Sequence, residues 1–396
     1  MNSGTSAVAA KDPDVLVVGA GPAGLSCAIA AASQGLQVEL IDAMQPGIDK
    51  ACGEGLMPDS LEALAALGFD LNRDLGHIEA ALLRGIRFLS DQASSTHNPN
   101  TEAPFPAGPG RGIRRTILHQ LLLDRAASLG VRFHWETVVQ GISQNKEGQQ
   151  NHEVQLRTNR QTLHARYLVG ADGHRSLVAK WAGLSKSRIH SRRIGLRQHY
   201  TVTPWTDFVE VYWSDHGQAY VTPISSTQVC VAFISNKKIP SPTEALRHFP
   251  ALERHLASAQ PSGAARGSIT LGLTLHRVTA GNIALIGDAS GSVDAVTGEG
   301  MALCFRQAAA LASALKANHL AAYQHAHRGI QRLPGLMSRS LLFMDRSPRL
   351  RARVLNTFER NPKLFSRLLQ IHIGHSAMNF FGAGGLLATG LHILTS

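Results

Sequence analysis

The stretch Asp14–Ala43, DVLVVGAGPAGLSCAIAAASQGLQVELIDA, constrains this chain more than any other feature. Val15 to Val18 is an unbroken apolar run, as expected of a parallel strand covered on both faces. Gly19, Gly21 and Gly24 follow as GxGxxG. The first glycine permits a tight turn, the second lets a pyrophosphate approach the backbone, and the third lets the following helix pack on the strand. That helix opens at Pro22 and Ala23, and its N-terminus offers free amides and a positive dipole end to phosphate. A second strand, 37–41, ends at Asp42, where a ribose hydroxyl needs an acceptor. Strand, glycines, helix, strand and acid in one unit specify a dinucleotide site. The unit does not separate NAD from FAD.

Two later motifs add to it. YLVGADGHRSLVAKWAGL (167–184) runs from an apolar strand into Asp172-Gly173, with Ser176 beyond. GNIALIGDASGSVDAVTGEGMALCFRQA (281–308) runs from a strand into Gly287-Asp288, then through a glycine-rich loop to a helix near Gly298, Gly300 and Met301. Asp288 at a strand end can accept from a ribityl or ribose hydroxyl. A helix N-terminus near Gly300 favours the negative edge of a reduced flavin.

GxGxxG, DG and GD in this order resemble the flavoprotein monooxygenase superfamily with the para-hydroxybenzoate hydroxylase fold. The resemblance spans residues 13–325. It implies an α/β chain with a Rossmann-like FAD-binding domain (13–88, 110–188 and 279–325) and an inserted antiparallel substrate sheet (89–109 and 189–278). A basic helical region (326–396) follows. It implies one FAD and transient NAD(P)H, since no second GxGxxG is present. Gly19, Gly21, Pro22, Ala23, Gly24 and Asp42 would hold the ADP half. Gly287 and Asp288 would hold the ribityl or pyrophosphate region, with Gly298, Gly300 and Met301 at the flavin. Asp172 and Gly173 would support FAD and the nicotinamide approach. Arg115 matches the helix-start arginine that lies near the cofactor. The superfamily's arginine three residues after the DG-motif serine is replaced here by Ala179, a departure that bears on nicotinamide rather than on FAD.

KACGEGLMP (50–58) lies just beyond Asp42. Its glycines let backbone approach a flat ring or a phosphate. A CGxG loop here resembles the geranylgeranyl reductase branch and oxidoreductases found with polyketide pathways, in which the cysteine sits near the isoalloxazine. Cys52 is then a candidate to tune the flavin or donate a proton, with a small buried turn residue as the plain alternative. Gly53 and Lys50 are candidate cofactor contacts, and Glu54 is expected to be structural or capping.

Between the DG and GD motifs, 193–234 and 267–275 hold alternating strands. His199, Tyr200, Tyr212, Trp213, Tyr220 and Thr222 are candidate pocket residues, with sheet packing as the plain alternative for each. His199 and Tyr220 are the candidates for activating a phenol. The YxWxFP motif of geranylgeranyl reductases is kept only as Tyr220-Val221-Thr222-Pro223, and the WxWxIP motif of flavin halogenases is absent. Residues 90–112 are expected to form a loop or hairpin.

With 396 residues, 44% hydrophobic, the chain can bury a large core. Its four scattered cysteines show no metal-ligand spacing, so no metal is expected and the thiols point to a reducing, cytoplasmic setting. The first dozen residues lack an apolar stretch long enough for a signal peptide. The net charge is +11, and residues 328–367 hold ten Arg or Lys against two acids. No nucleic-acid-binding signature accompanies them. An anionic membrane surface is the alternative to plain solvent. The uncharged run 376–391 is shorter than the roughly 20 residues of a spanning helix. It is expected either to close a substrate tunnel or to rest on a bilayer. The leading expectation is NAD(P)H-driven hydroxylation of a lipophilic or polyketide-derived phenol. The second is reduction of isoprenoid double bonds, and the third is a flavin-bound partner protein without turnover. The sequence leaves the substrate and the oligomeric state open.

Overall fold

The computed structural model describes residues 12–76, 78–91, 98–144 and 153–374. Val15–Val18 lies at the centre of a six-stranded sheet, with Tyr167–Gly170 on one side and Val38–Ile41 on the other. Ile283–Leu285 and Arg132–His134 extend it in parallel, and Thr279–Ala280 adds an antiparallel edge. All four residues of each of the three central strands are buried, which explains their mostly apolar character; the exception, Glu39, is paired with Arg132 and His134. Helices Pro22–Ser33, Arg115–Ser128 and Gly300–Lys316 pack together on this sheet. Val154, Leu156 and Ala165 of a three-stranded antiparallel sheet join the same core.

A second sheet has eight strands, in the order Gly291–Ser292, Gln260–Leu275, Ser187–Thr201, Gln228–Ser235, Gly217–Pro223, Phe208–Ser214, Gly85–Ser90, Asn100–Pro104. It is antiparallel except where Phe208–Ser214 runs parallel to Gly85–Ser90. Gly85–Ser90 begins inside the segment expected for the cofactor half, yet it runs in this sheet. Gly291–Ser292 of the third motif also pairs here. The expected hairpin region supplies Asn100–Pro104, antiparallel to Gly85–Ser90.

The sheet is covered on both faces. Tyr200, Tyr212, Val221 and Phe233 pack under helices Pro242–Leu246 and Pro250–His255. Trp213 and Val211 face the other way, onto Met57, Val296 and the C-terminal helices Pro348–Arg360 and Pro362–His372. These two helices follow the long helix Leu320–Asp345. The apolar run 376–391 lies outside the described residues.

A small sheet of Gly55–Leu56, Gly110–Gly112 and Ala81–Leu83 joins the two halves. Gly112 sits so close to the eight-stranded sheet that a Cβ there would overlap the Pro223 carbonyl. The CGEG turn immediately precedes this junction.

Candidate functional site

The three sequence motifs meet at the ends of the parallel strands. Gly19 adopts φ +106°, and a Cβ there would come within 2.5 Å of the Ala171 carbonyl oxygen, so the first and second motifs touch. Gly287 adopts φ +59°, and its Cβ would meet Ala23 Cβ at 2.5 Å, so the third motif presses on the first helix. At Gly24 a Cβ would overlap the Gly19 carbonyl. These are the close approaches that the spacing of the glycines predicts.

The acids around this junction are partly committed to the backbone. Asp42 Oδ2 accepts from the Ala20 amide at 2.7 Å, and Oδ1 accepts from the Met44 amide at 2.9 Å. Asp172 Oδ2 accepts from the Leu177 and Val178 amides at 2.7 and 3.2 Å, while its buried Oδ1 has no partner. Ser176 accepts from the Ala179 amide at 2.8 Å, which is an N-cap. Asp288 stays exposed and pairs with His174 at 3.1 Å.

Open positions surround the same junction. A Cβ at Gly21, Gly53, Gly173 or Gly300 would meet no protein atom within 4 Å. Neither helix Pro22–Ser33 nor helix Gly300–Lys316 has a side-chain N-cap, so both present bare first-turn amides. Gly298 takes the left-handed turn before the second of these helices, Met301 is half-buried in its first turn, and Lys50 is exposed. Bare helix starts, open glycines and the unpartnered Asp172 oxygen fit a flavin dinucleotide across this junction.

Arg115 is not a free cation facing the site. Its Nη1 donates to the Ile48 carbonyl at 2.8 Å, and its amide donates to Glu54 Oε1 at 3.0 Å. Arg115 therefore braces the loop that carries Lys50, Cys52 and Gly53. His119, which the motifs did not indicate, braces Ala20 from below: its Nε2 lies 2.7 Å from the Ala20 carbonyl.

Beneath the CGEG turn lies a buried polar chain that ties it to the eight-stranded sheet. Glu54 adopts φ +59°, and its Oε2 lies 2.6 Å from His199 Nε2. Arg197 Nη1 lies 2.8 Å from His199 Nδ1, and Arg197 also pairs with Asp49. A guanidinium can only donate, so Nδ1 accepts, and Nε2 carries the proton that it donates to Glu54. Glu54, His199 and Cys230 bring ligand-type atoms within 4.8 Å of one another. However, that tautomer points N–H rather than a lone pair into the cluster, so it acts as a hydrogen-bonded clamp. Glu54, expected to be structural or capping, is the centre of the clamp.

Cys52 is half-buried, and its sulfur accepts from the Glu54 amide at 3.4 Å. Burial and then the negative charge of Glu54 push its thiol up, so Cys52 carries its proton at neutral pH.

Other sequence candidates lie elsewhere. His199 is fully buried in the clamp and presents no free nitrogen. The Tyr220 hydroxyl donates to the Val296 carbonyl at 2.8 Å, and burial raises its pKa. Neither is presented as a base for a phenol. Tyr200 and Tyr212 point to the far face of the sheet because alternate residues of a strand face opposite ways. Trp213 is buried against Phe88. Thr222 is buried, with its methyl carbon 3.6 Å from a Cβ built on Gly55.

A second buried cluster lies at the start of helix Gly300–Lys316. Glu299 Oε2, Asp59 Oδ1 and His372 Nδ1 are all buried without a hydrogen-bond partner. His372 Nε2 lies 3.0 Å from the Thr297 carbonyl, so it donates there and leaves Nδ1 bare, 3.7 Å from Glu299. Burial, and then Asp59, raise Glu299 well above the usual carboxylate range. Burial raises Asp59 as well, against Arg306. Folded protein therefore binds more protons here than unfolded chain, so stability falls as pH rises above the ordinary carboxylate range. Glu299→Gln is expected to raise the Tm over wild type at neutral and alkaline pH, with the gain vanishing in acid. A pH-independent Tm difference would refute this assignment.

Comparison with known proteins agrees with this geometry. A family model described as "FAD binding domain" matches residues 12–324. The chain belongs to that family. This flavoprotein is 27% identical over 302 residues to digeranylgeranylglycerophospholipid reductase 1 of Methanothermobacter thermautotrophicus, covering 73% of each chain. It is 27% identical over 306 residues to menaquinone reductase of Mycolicibacterium smegmatis, covering 73% of this chain and 72% of that one. In fold it resembles a flavoprotein/dehydrogenase from Cytophaga hutchinsonii, with TM-score 0.74 and 19% identity over 91% of this chain and 93% of that one. It also resembles a halogenase solved with phloroglucinol and FAD, with TM-score 0.72 and 17% identity over 92% of this chain and 84% of that one. The flavoprotein is an FAD-dependent oxidoreductase. Among the described residues, no helix is long and apolar enough to cross a membrane.

Proposed function

We propose that this flavoprotein reduces a carbon–carbon double bond of a lipophilic, isoprenoid-type substrate. The observation that carries the reading is the Cys52 thiol in a turn clamped from below by Glu54, His199 and Arg197. Alkene reduction needs a hydride and a proton on neighbouring carbons. Bound FAD, with NAD(P)H as its electron source, supplies hydride chemistry. The protein's part is the proton. Cys52 Sγ–H gives its proton to the carbon next to the one that receives hydride, and the thiolate regains a proton from water before the next turnover. The clamp keeps the sulfur from shifting when substrate enters, because Glu54 is held by both the Arg115 amide and His199. The relatives named above are a digeranylgeranylglycerophospholipid reductase and a menaquinone reductase, and reduction of lipophilic molecules by both supports the reading.

Hydroxylation of a phenol, the leading expectation from the motifs, calls for a group that can take the phenolic proton. His199 and Tyr220 are both committed to protein partners, which favours reduction. The test is product mass after incubating the FAD-loaded protein with NADPH and a polyprenyl lipid, with and without air. Gain of two hydrogens in both conditions is expected. Gain of oxygen only in air would overturn the proposal in favour of hydroxylation. Cys52→Ser is expected to lower kcat about 10- to 100-fold with FAD content unchanged. Unchanged kcat would remove Cys52 from the chemistry.

A further inference from the structure

The long helix Leu320–Asp345 carries an exposed stripe that its packing does not use. His325, Arg328, Arg332 and Arg339 are exposed at intervals of three, four and seven residues, which places them on one side of the helix. Phe343, four residues beyond Arg339, ends the stripe and is 62% exposed. Arg346 and Arg349, at the corner into the next helix, are exposed beside it, and Arg353, Arg360 and Lys363 are exposed farther on. Both acids of this region are half-buried and engaged. Asp345 accepts from Gln218 Nε2 at 2.7 Å and pairs with Arg351, and Glu359 accepts from the Asn100 amide at 3.1 Å. From 320 to 374 no carboxylate is exposed.

A solvated helical face ordinarily mixes both signs of charge, because like charges at i, i+4 repel. Here the exposed charges that the helices themselves carry are of one sign around a large exposed aromatic, and the exposed Asp215 beside them is taken up by the buried Arg351. Cations around an exposed apolar side chain match a surface that is anionic outside and apolar a few ångströms deeper.

We propose that this face docks the protein on an anionic phospholipid membrane, with Arg339, Arg346 and Arg349 on the headgroups and Phe343 entering the interface. Such docking would set the protein against the phase that holds a lipophilic substrate. It goes beyond the reductase reading and does not depend on it, because vesicle binding requires no turnover.

The experiment is co-sedimentation of the full-length, FAD-loaded protein with vesicles of phosphatidylcholine alone or mixed with phosphatidylglycerol, at low and high salt. Binding is expected only to the mixed vesicles and is expected to weaken as salt rises. Each arginine at an anionic surface contributes about a five-fold factor in partitioning, so the triple change Arg339→Gln, Arg346→Gln, Arg349→Gln is expected to lower it about a hundred-fold. Phe343→Ser is expected to weaken binding with the salt dependence preserved. Circular dichroism and flavin absorbance check that each variant is folded and loaded. Absence of binding to mixed vesicles, equal binding to neutral ones, or undiminished binding by the folded triple variant overturns the proposal. Retention on DNA or heparin without vesicle binding also overturns it and assigns the face to a polyanion.

Discussion

Gly24→Ala is expected to yield protein without FAD. The new Cβ would overlap the Gly19 carbonyl and lie 3.2 Å from Ala171 Cβ, both on backbone held by the parallel sheet. Relief requires helix Pro22–Ser33 to move away from its strand, and this takes the first-turn amides away from the pyrophosphate. Overpacking of this kind costs about 3 kcal/mol, more than a hundred-fold in cofactor affinity if it falls on the bound state. Gly21→Ala is the contrasting case, because its Cβ meets no protein atom within 4 Å. It should leave the unfolding midpoint of the cofactor-free protein near wild type and still lose FAD. Flavin absorbance per chain and Tm of the cofactor-free protein separate the two. Full FAD occupancy in Gly24→Ala would show that the first helix does not hold the pyrophosphate.

Glu54→Ala is expected to be among the most destabilising single changes in the chain, by about 3–5 kcal/mol. It removes the acceptor of the buried His199 Nε2–H and of the Arg115 amide, and it leaves Arg197 near a clamp that no longer closes. Glu54→Gln keeps one acceptor oxygen and should cost less. A double-mutant cycle of Glu54→Ala with His199→Phe should show strong coupling, because removing both partners leaves fewer orphaned groups than removing one. Additive denaturant midpoints would mean that the clamp does not act as a unit.

Much of the cofactor half was legible because its signals are local. A strand, a turn that only glycine tolerates, and a helix start follow one another within a dozen residues, so Gly19, Gly21 and Gly24 announce themselves without tertiary information. The roles of the acids were less legible. Asp42 and Asp172 lie at the expected strand ends, but each spends oxygens on nearby amides, a choice set by how the following loop turns. Glu299 lies within GEG at the helix start, but its buried partners come from Asp59 and His372, far away in sequence.

The sequence by itself determined that the chain builds a βαβ dinucleotide cradle, that two further motifs converge on it, and that an antiparallel sheet is inserted between them. The cradle follows from periodicity and from the steric limits of a few residues, and the convergence of the motifs and the inserted sheet from the resemblance that their order carries. Tertiary structure alone decided which side chains face the cofactor. Sheet register sets His199 opposite Cys230, on the side of the CGEG turn, and sends Tyr200 to the far face one residue later. Nothing local distinguishes those two neighbours, because a strand alternates its faces regardless of which partner covers each. The Glu54–His199 pair spans 145 positions and exists only because two sheets dock at Gly112. The basic C-terminal segment was likewise visible as composition. Only helix packing, which half-buries and engages Asp345 and Glu359 and leaves the arginines and Phe343 outside, makes it a face of one charge.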